Sequence, residues 1–106
     1  MVAVAAPKRG RMSGYFVLQV EWKSSESRKT YVERLGNMIE KHGGDYIIAS
    51  NEYRIVEGDW RPGLLIVIKF PTLQALSDWY DSAEYRSLRE FRLDNARCDA
   101  VVVEGS

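Results

Sequence analysis

The sequence is poor in the residues that bind metals or form disulfides, because it has one cysteine, Cys98, and one histidine, His42. A single cysteine excludes an intrachain disulfide framework and is typical of a reducing compartment, so we predict a cytoplasmic location. Neither residue has the second histidine or cysteine that would accompany it in a zinc site. We therefore predict no metal site and no tightly bound cofactor.

The sequence also lacks an excess of charge of either sign. Fifteen basic residues balance fifteen acidic ones, so no global field would hold a polyanion, and we predict no nucleic-acid partner. Apolar runs fall short of the roughly 20 residues that span a membrane, so we predict no membrane partner. Phosphate-binding glycine loops, nucleophile elbows and paired-cysteine motifs are missing, which removes the usual support for nucleotide, hydrolase and zinc-enzyme functions.

The beginning of the chain differs from the rest. A short apolar run at residues 2–6 is followed by three basic residues, which is the reverse of the order in a secretory signal. We expect residues 1–12 to form a flexible basic extension, with a binding arm as the alternative. The remaining length suits one hydrophobic core, so we expect residues 13–106 to form a single domain.

Apolar periodicity predicts the first half of that domain. Side chains alternate from Gly14 onward, as in a half-buried strand. Ser24 is a suitable cap for the following helix, in which apolar residues recur every three or four positions up to His42. Gly43 and Gly44 end this helix, because glycine adopts a left-handed conformation without steric cost.

The second half of the sequence predicts three more strands and two helices. Residues 45–50 form a strand that continues in extended form through residues 53–57, and residues 63–70 are nearly all aliphatic, as in a central strand. Thr72 caps the next helix, and Ser82 caps a further short helix. Valine-rich residues 98–104 form the last strand.

The resulting order is βαββαβ with an extra short helix, which predicts an α+β, ferredoxin-like fold with helices on one face of an antiparallel sheet. That arrangement leaves the second face bare, although residues 63–70 and 98–104 carry apolar side chains on both faces. Monomers rarely expose such a patch, so we predict a homodimer that packs through this sheet face.

Four short motifs occur at characteristic spacing, and with them the chain resembles a bacterial family called domain of unknown function 1330, from Gly14 to about Gly105. The motifs are His42-Gly43-Gly44, Glu57-Gly58-Asp59-Trp60-Arg61-Pro62, Phe70-Pro71-Thr72-Leu73 and Trp79-Tyr80-Asp81-Ser82-Ala83-Glu84-Tyr85. The resemblance implies a protomer that pairs into a dimeric α/β barrel. It implies no particular activity, because that superfamily includes cofactor-free monooxygenases, lactone isomerases and haem proteins.

His42 is the candidate catalytic residue. Imidazole is the only side chain that titrates near neutrality without perturbation, so His42 is a possible general base, with haem ligation as a further alternative. Its place at the end of the apolar stripe supports a structural interpretation instead, in which the ring caps carbonyls at the negative end of the helix.

Two groups of residues are candidates for lining a ligand pocket. Glu57, Trp60 and Arg61 surround a glycine and can arrange charge against an indole face, although such a segment is also typical of an ordinary turn. Tyr80 and Tyr85 flank a helix break, and buried tyrosine hydroxyls need polar partners, which suits a mostly apolar pocket.

Asp81 completes the set, either as a carboxylate in that pocket or as a turn and capping residue. We predict a homodimer that binds or transforms a small organic molecule in an aromatic-lined pocket. If the protein transforms the molecule, we expect monooxygenase-like or isomerase-like chemistry. The alternative is a noncatalytic dimeric interaction or sensory module. Four side chains around one pocket, those of His42, Trp60, Tyr80 and Tyr85, would favour the first hypothesis.

Overall fold

Four strands and three helices follow one another in the computed structural model, which describes residues 12–105. Residues 1–11 of the predicted N-terminal extension lie outside the described residues. The elements are β1 (Ser13–Trp22), α1 (Ser25–Lys41), β2 (Asp45–Ser50), β3 (Leu64–Phe70), α2 (Leu73–Tyr80), α3 (Ala83–Asn95) and β4 (Ala96–Gly105). In this part of the chain no helix is long and apolar enough to cross a membrane.

The strands form one antiparallel sheet in the order β2-β3-β1-β4. β1 pairs with β4 over its whole length, from Ser13 opposite Gly105 to Trp22 opposite Ala96. The two edge strands are β2, whose register shifts after Tyr46, and β4. This topology confirms the predicted ferredoxin-like α+β fold.

The helices begin at the predicted capping residues. The side-chain oxygens of Ser24, Thr72 and Ser82 each accept a hydrogen bond from the backbone N–H three positions later, at 3.0–3.1 Å. These bonds satisfy one of the free N–H groups that every helix N-terminus leaves. Gly43 has a φ angle of 76° and ends α1 as predicted.

Two predicted elements have the wrong extent. Residues 53–57 do not continue a strand, because β2 ends at Ser50 and the chain then leaves the sheet until Leu64. A hydrogen bond within this segment fixes its shape, because the Tyr53 hydroxyl donates to the carbonyl oxygen of Pro62 at 2.7 Å. The helix after Ser82 is also not short, since α3 has 13 residues and α2 has eight.

The hydrophobic core lies between the helices and one sheet face. Even-numbered side chains of β1 and β3 point into this layer, where they meet apolar side chains from all three helices. Fully buried members are Phe16, Leu18, Ile66, Ile68, Tyr31, Leu35, Leu76, Trp79, Tyr85 and Leu88.

The opposite sheet face carries the odd-numbered side chains, and we call it the open sheet face. Val17, Leu65, Val67, Val101 and Val103 lie on it by strand alternation. Val101 is 58% exposed and Val103 is 46% exposed. None of the helices covers this face in the range 12–105, so an apolar surface remains at the middle of the sheet.

The open sheet face also holds a buried polar contact. Gln19 is 4% exposed, and its side-chain Nε2 donates to an Asp99 carboxylate oxygen at 2.8 Å. Its Oε1 accepts from the Gly63 N–H at 3.0 Å. Gln19 thereby ties the end of the 51–63 segment to both β1 and β4.

Candidate functional site

Four polar side chains meet inside the helix–sheet core, and we call them the Arg92 cluster. Tyr31 of α1 and Tyr85 of α3 are fully buried, and their hydroxyl oxygens lie 2.7 Å apart. Arg92 is 3% exposed, and its Nη1 donates to the Cys98 Sγ at 2.7 Å. Its Nη2 lies 3.5 Å from the Tyr85 hydroxyl, as a long hydrogen bond.

The sequence places these side chains together through helix and strand periodicity. Tyr85, Leu88 and Arg92 are the buried residues of α3 and recur at spacings of three and four, so they share its inner face. Cys98 pairs with Val20 and therefore points to the same side of the sheet as the buried side chains of β1. Arg92 thus reaches from the helix to the edge strand.

Burial keeps both tyrosines of the cluster protonated. It raises the pKa of Tyr31 well above the ordinary value, and the neighbouring Tyr85 adds to this effect. Burial also raises the pKa of Tyr85, although Arg92 and the hydrogen bonds from Tyr31 and Arg92 oppose the shift. Tyr46 lies nearby, and burial together with Tyr85 raises its pKa to about 12.

Arg92 carries the positive charge of the cluster. Burial disfavours this charge, but Tyr85, Tyr31 and Cys98 favour it more, so the pKa of Arg92 lies above its usual value. The ion pairs within residues 12–105 are Lys41 with Glu84 and Arg97 with Glu21, so no acidic side chain there neutralises Arg92. A buried arginine without a carboxylate partner is an unusual arrangement in a protein core.

Three buried hydrogen-bond donors, one in the Arg92 cluster and two on tryptophans outside it, lack an acceptor among the residues that the structure describes. Arg92 Nε is buried and has no acceptor in the described part of the chain, and the same holds for the indole nitrogens of Trp22 and Trp79. Leaving such a donor without a partner costs about 1–3 kcal/mol. These groups therefore favour the approach of an acceptor.

An open cleft of about 580 Å³ lies where β1 runs into α1. Its walls include the aromatic side chains of Trp22 and Tyr53 and the basic side chains of Lys23 and Arg28. A second cleft of about 380 Å³, between α1 and β2, shares Arg28 with the first and adds Lys29. We call the two together the Trp22 cleft.

Trp22 connects this cleft to the Arg92 cluster. Its side chain lines the cleft, and its ring centroid lies 5.2 Å from that of Tyr31. Its ring also meets that of Phe91 edge-on, with the two centroids 6.5 Å apart. The indole of Trp22 therefore lines the cleft and also packs against one tyrosine of the Arg92 cluster.

The charges around the cleft favour a polar or anionic ligand. Lys23, Arg28 and Lys29 line it together with two acidic residues, Glu21 and Glu33. Glu21 already has a partner, since one of its carboxylate oxygens lies 4.0 Å from the guanidinium of Arg97. Arg28 and Lys29 have no ion pair among the residues that the structure describes.

The structure does not bring the four predicted pocket residues together. Trp60 is 62% exposed and lines a small cavity on the open sheet face with Val17 and Leu65. Tyr80 and Tyr85 lie on the helical side, with ring centroids 5.6 Å apart. Because the sheet separates these positions, the expected common pocket does not form.

The other predicted site residues are dispersed as well. His42 is the half-buried C-cap of α1, and Asp81 is the exposed C-cap of α2. Glu57 and Trp60 line a cleft of about 380 Å³ that residues 53–57 form against Leu65. Arg61 is exposed next to them. The roles predicted for these residues individually stay predictions.

Sequence reasoning assigned no role to Trp22 and Arg92 in a site. A signal for Arg92 was present, because this arginine occupies the position that continues the apolar stripe of Tyr85 and Leu88 along α3. A charged residue on an inward face needs a buried partner. No three histidine, cysteine, aspartate or glutamate side chains come together as a metal site in the described range.

The chain matches the model of one protein family, "Domain of unknown function (DUF1330)", over residues 13–106. It therefore belongs to this family, as its four motifs indicated. No curated protein sequence matches the chain.

Solved structures share the fold at low sequence identity. A protein of unknown function from Rhodopseudomonas palustris has a TM-score of 0.71 and 14% identity, and the match covers 88% of this chain and 82% of that one. A dimeric ferredoxin-like protein of unknown function from Jannaschia sp. CCS1 has a TM-score of 0.62 and 9% identity, covering 86% and 97%. A dabb family protein with a ferredoxin-like fold from Mesorhizobium loti also has a TM-score of 0.62, with 10% identity, covering 87% and 95%.

Proposed function

We propose that this member of the DUF1330 family is a homodimer that binds a small organic molecule in the Trp22 cleft of each protomer. The observation that carries the proposal is the cleft itself, with volumes of about 580 and 380 Å³ in its two parts. These volumes lie in the range of small-molecule sites, which combine apolar and aromatic walls with a few polar groups. Trp22, Tyr53 and Leu64 supply the apolar walls, and Arg28 supplies a charge.

The homodimer is supported by the open sheet face. Val101 and Val103 are about half exposed there, beside Val17 and Val67 on the neighbouring strands. A second copy would bury these side chains against its own, because a two-fold interface uses the same patch on both copies. The Jannaschia relative is described as dimeric. The free thiol of Cys98 suits a cytoplasmic location.

We propose binding rather than a particular reaction for the cleft. The tyrosines of the neighbouring Arg92 cluster are not candidate bases, because burial keeps Tyr31 and Tyr85 in the protonated form. Both hydroxyls can donate hydrogen bonds and neither serves as a base at neutral pH. The alternative function, a noncatalytic interaction module, relies on the open sheet face alone and requires no ligand in the Trp22 cleft.

An NMR titration tests the proposed site. The three indole N–H signals of Trp22, Trp60 and Trp79 report on the cleft, the open sheet face and the core, respectively. The six probes are benzoate, phenylacetate and hexanoate and the primary amide of each acid, and each is titrated separately. We expect the Trp22 signal to shift with probe concentration while the Trp60 signal stays in place.

Two variants give the control for this titration. Arg28→Ala should weaken binding of the probes, because Arg28 lines both parts of the cleft. Arg34→Ala should not, because Arg34 is exposed on the same helix outside the cleft. An unmoved Trp22 signal with all six probes, or a shift of Trp60 alone, would overturn the proposed site and favour the interaction module.

A further inference from the structure

We infer that the 51–63 segment of each protomer binds the second copy of this chain, with the indole of Trp60 packed on the far end of the partner's open sheet face. The inference rests on the proposed function, because it requires the homodimer that forms through this face. It adds a second contact region to that dimer and names the residue that anchors it.

The 51–63 segment covers one end of the open sheet face. The row of side chains at this end, which we call the covered end, consists of Leu65, Gln19 and Asp99. Gln19 is 4% exposed, and its Oε1 accepts from the Gly63 N–H at 3.0 Å. Trp60 lines a cavity of about 170 Å³ against the same row. The segment therefore projects from this end of the face.

The opposite end of the face is open. Its row of side chains, which we call the free end, consists of Lys69, Tyr15 and Val103, each four positions along its strand from the covered end. Val103 is 46% exposed there. At about 3.3 Å per residue, roughly 13 Å separates the two rows along the strands. The two ends of the open sheet face are therefore unlike each other.

The projecting segment decides how two copies can pack. Face-to-face sheets lie about 10 Å apart, and side chains fill the gap between them. Two 51–63 segments at the same end of this gap would hold the sheets apart. A two-fold dimer avoids this when the covered end of each copy lies opposite the free end of the other. The segment of one protomer then contacts the free end of its partner.

The segment carries apolar side chains that suit such a contact. Trp60 is 62% exposed, Val56 is 81% exposed and Tyr53 is 43% exposed. Within residues 12–105 the exposed large apolar side chains lie on β2, on this segment and on β4, with Leu93 of α3 as the exception. Exposed apolar residues that cluster in this way mark an interaction surface. The segment therefore continues the interface that the open sheet face begins.

The free end suits an indole. The ammonium group of Lys69 lies 5.9 Å from the centre of the Tyr15 ring, so a cation and an aromatic ring are already side by side. Trp60 of one copy packs on the partner's Val103 and brings a second ring to the partner's Lys69. Tryptophan is among the residues that contribute most to the stability of protein interfaces. Trp60 is therefore the anchor of each segment.

NMR on the unmodified protein tests this contact. Dimers are formed from equal amounts of ¹³C-labelled and unlabelled chains, and a filtered experiment records NOEs only between a labelled and an unlabelled chain. We expect filtered NOEs from the indole protons of Trp60 to the side chains of Lys69 and Val103. Leu65 is the control, because it lines a cavity with Trp60 in the same chain and should give its NOE only without the filter.

Variants measure how much Trp60 contributes to the dimer. Trp60→Ala should raise the dissociation constant, measured by sedimentation equilibrium, at least about 30-fold, which is the scale of an interface hot spot. Leu93→Ala is the matched control, because Leu93 is 57% exposed on α3, and it should leave the constant unchanged. Lys69→Gln should have a smaller effect than Trp60→Ala and should add nothing once Trp60 is replaced. If Trp60→Ala does not fold, the NOEs decide.

The outcomes separate this inference from the proposed homodimer. A dimer without filtered NOEs from Trp60 to the free end, or with an unchanged dissociation constant in Trp60→Ala, would overturn the inference and leave the homodimer in place. A filtered NOE from Trp60 to the partner's Leu65 would also overturn it, since the two segments would then lie at the same end. A monomeric unmodified protein would overturn both and assign the exposed segment to a partner of another kind.

Discussion

The hydroxyl oxygens of Tyr31 and Tyr85 lie 2.7 Å apart in the core, although 54 positions separate the two residues in the chain. The bond joins α1 to α3, and Tyr85 has a second partner in Arg92. Tyr85 is therefore the central residue of the Arg92 cluster, with Tyr31 at one end. Removing the hydroxyl of Tyr85 would therefore leave more buried polar groups without a hydrogen-bond partner than removing the hydroxyl of Tyr31.

Removing the Tyr85 hydroxyl should lower stability more than removing that of Tyr31. Tyr85→Phe leaves the buried Tyr31 hydroxyl and one Arg92 nitrogen without a partner, whereas Tyr31→Phe leaves Tyr85 bonded to Arg92. We expect Tyr85→Phe to lower the free energy of unfolding by about 1–3 kcal/mol and Tyr31→Phe by less. Urea denaturation measures both values.

The double variant shows whether the two hydroxyls act as a pair. Because they share one bond, the combined loss should be smaller than the two single losses added together. Strict additivity, or a larger loss for Tyr31→Phe, would mean that the bond does not link the two residues energetically.

Stability should fall in strongly alkaline solution because of the buried tyrosines. The folded protein raises the pKa of Tyr46 from 10.0 to about 12, so it keeps a proton that the unfolded chain releases above pH 10. The stabilising difference is complete below pH 10 and is lost as the pH rises toward 12, with Tyr31 and Tyr85 acting in the same direction.

Urea midpoints measured between pH 10 and about 12 show whether stability falls with rising pH and whether Tyr46 contributes to the fall. Tyr46→Phe removes one of these titrations, so its midpoint should fall less steeply between pH 10 and about 12 than that of the unmodified protein. Stability that rises in this window, or identical slopes for the two proteins, would contradict the assignment.

A charge placed on the open sheet face should break the proposed dimer. Val67→Lys and Val101→Lys each put an ammonium group on that face, where a second copy would have to desolvate it. Leu93→Lys is the matched control, since Leu93 is 57% exposed on α3 and Val101 is 58% exposed. We expect light scattering to give a dimer for the unmodified protein and for Leu93→Lys, and monomers for the other two.

The same measurement can contradict the dimer. A monomer at micromolar concentration for the unmodified protein would remove the proposal, and a dimer that survives both valine substitutions would place the interface elsewhere. Either result would leave the exposed valines of β4 to be explained by another partner.

Local chemistry explains why much of the fold was predictable. Ser24, Thr72 and Ser82 each supply a side-chain oxygen where a helix begins, and Gly43 permits a backbone angle that other residues avoid. These signals act within a few residues of one another, so they can be read without knowing the tertiary structure. The 51–63 segment has no such signal, because the Tyr53 hydroxyl finds its acceptor nine residues away.

The candidate site was less predictable because it depends on contacts between distant parts of the chain. The sequence indicated that the Tyr85 hydroxyl would need a polar partner if buried, but Tyr31 looked like an ordinary core residue of an apolar stripe, and the structure pairs the two hydroxyls. Trp60 and Tyr80 were grouped although they lie on opposite sides of the sheet. Which side of a sheet a loop crosses is decided by long-range packing, such as that of Gly63 on Gln19.

His42 gives the last prediction, since the sequence offered both a catalytic and a structural role for it. Backbone groups already satisfy the end of α1, because the N–H groups of Gly43 and Gly44 donate to the carbonyls of Glu40 and Ile39 at 3.1 and 2.8 Å. The imidazole makes no hydrogen bond within the described residues and does not line the Trp22 cleft.

We therefore expect His42→Asn to lower the free energy of unfolding by less than about 1 kcal/mol, which is the scale of a charge at a helix end. Gly43→Ala should cost more, because Gly43 has a φ angle of 76° that alanine rarely adopts and a Cβ would meet the Pro71 ring at 3.3 Å. Thermal melts and the Trp22 titration should be recorded for both variants. Loss of probe binding in His42→Asn at an unchanged melting temperature would assign the imidazole to the site and reverse this interpretation, because a residue that only ends a helix changes stability before it changes binding.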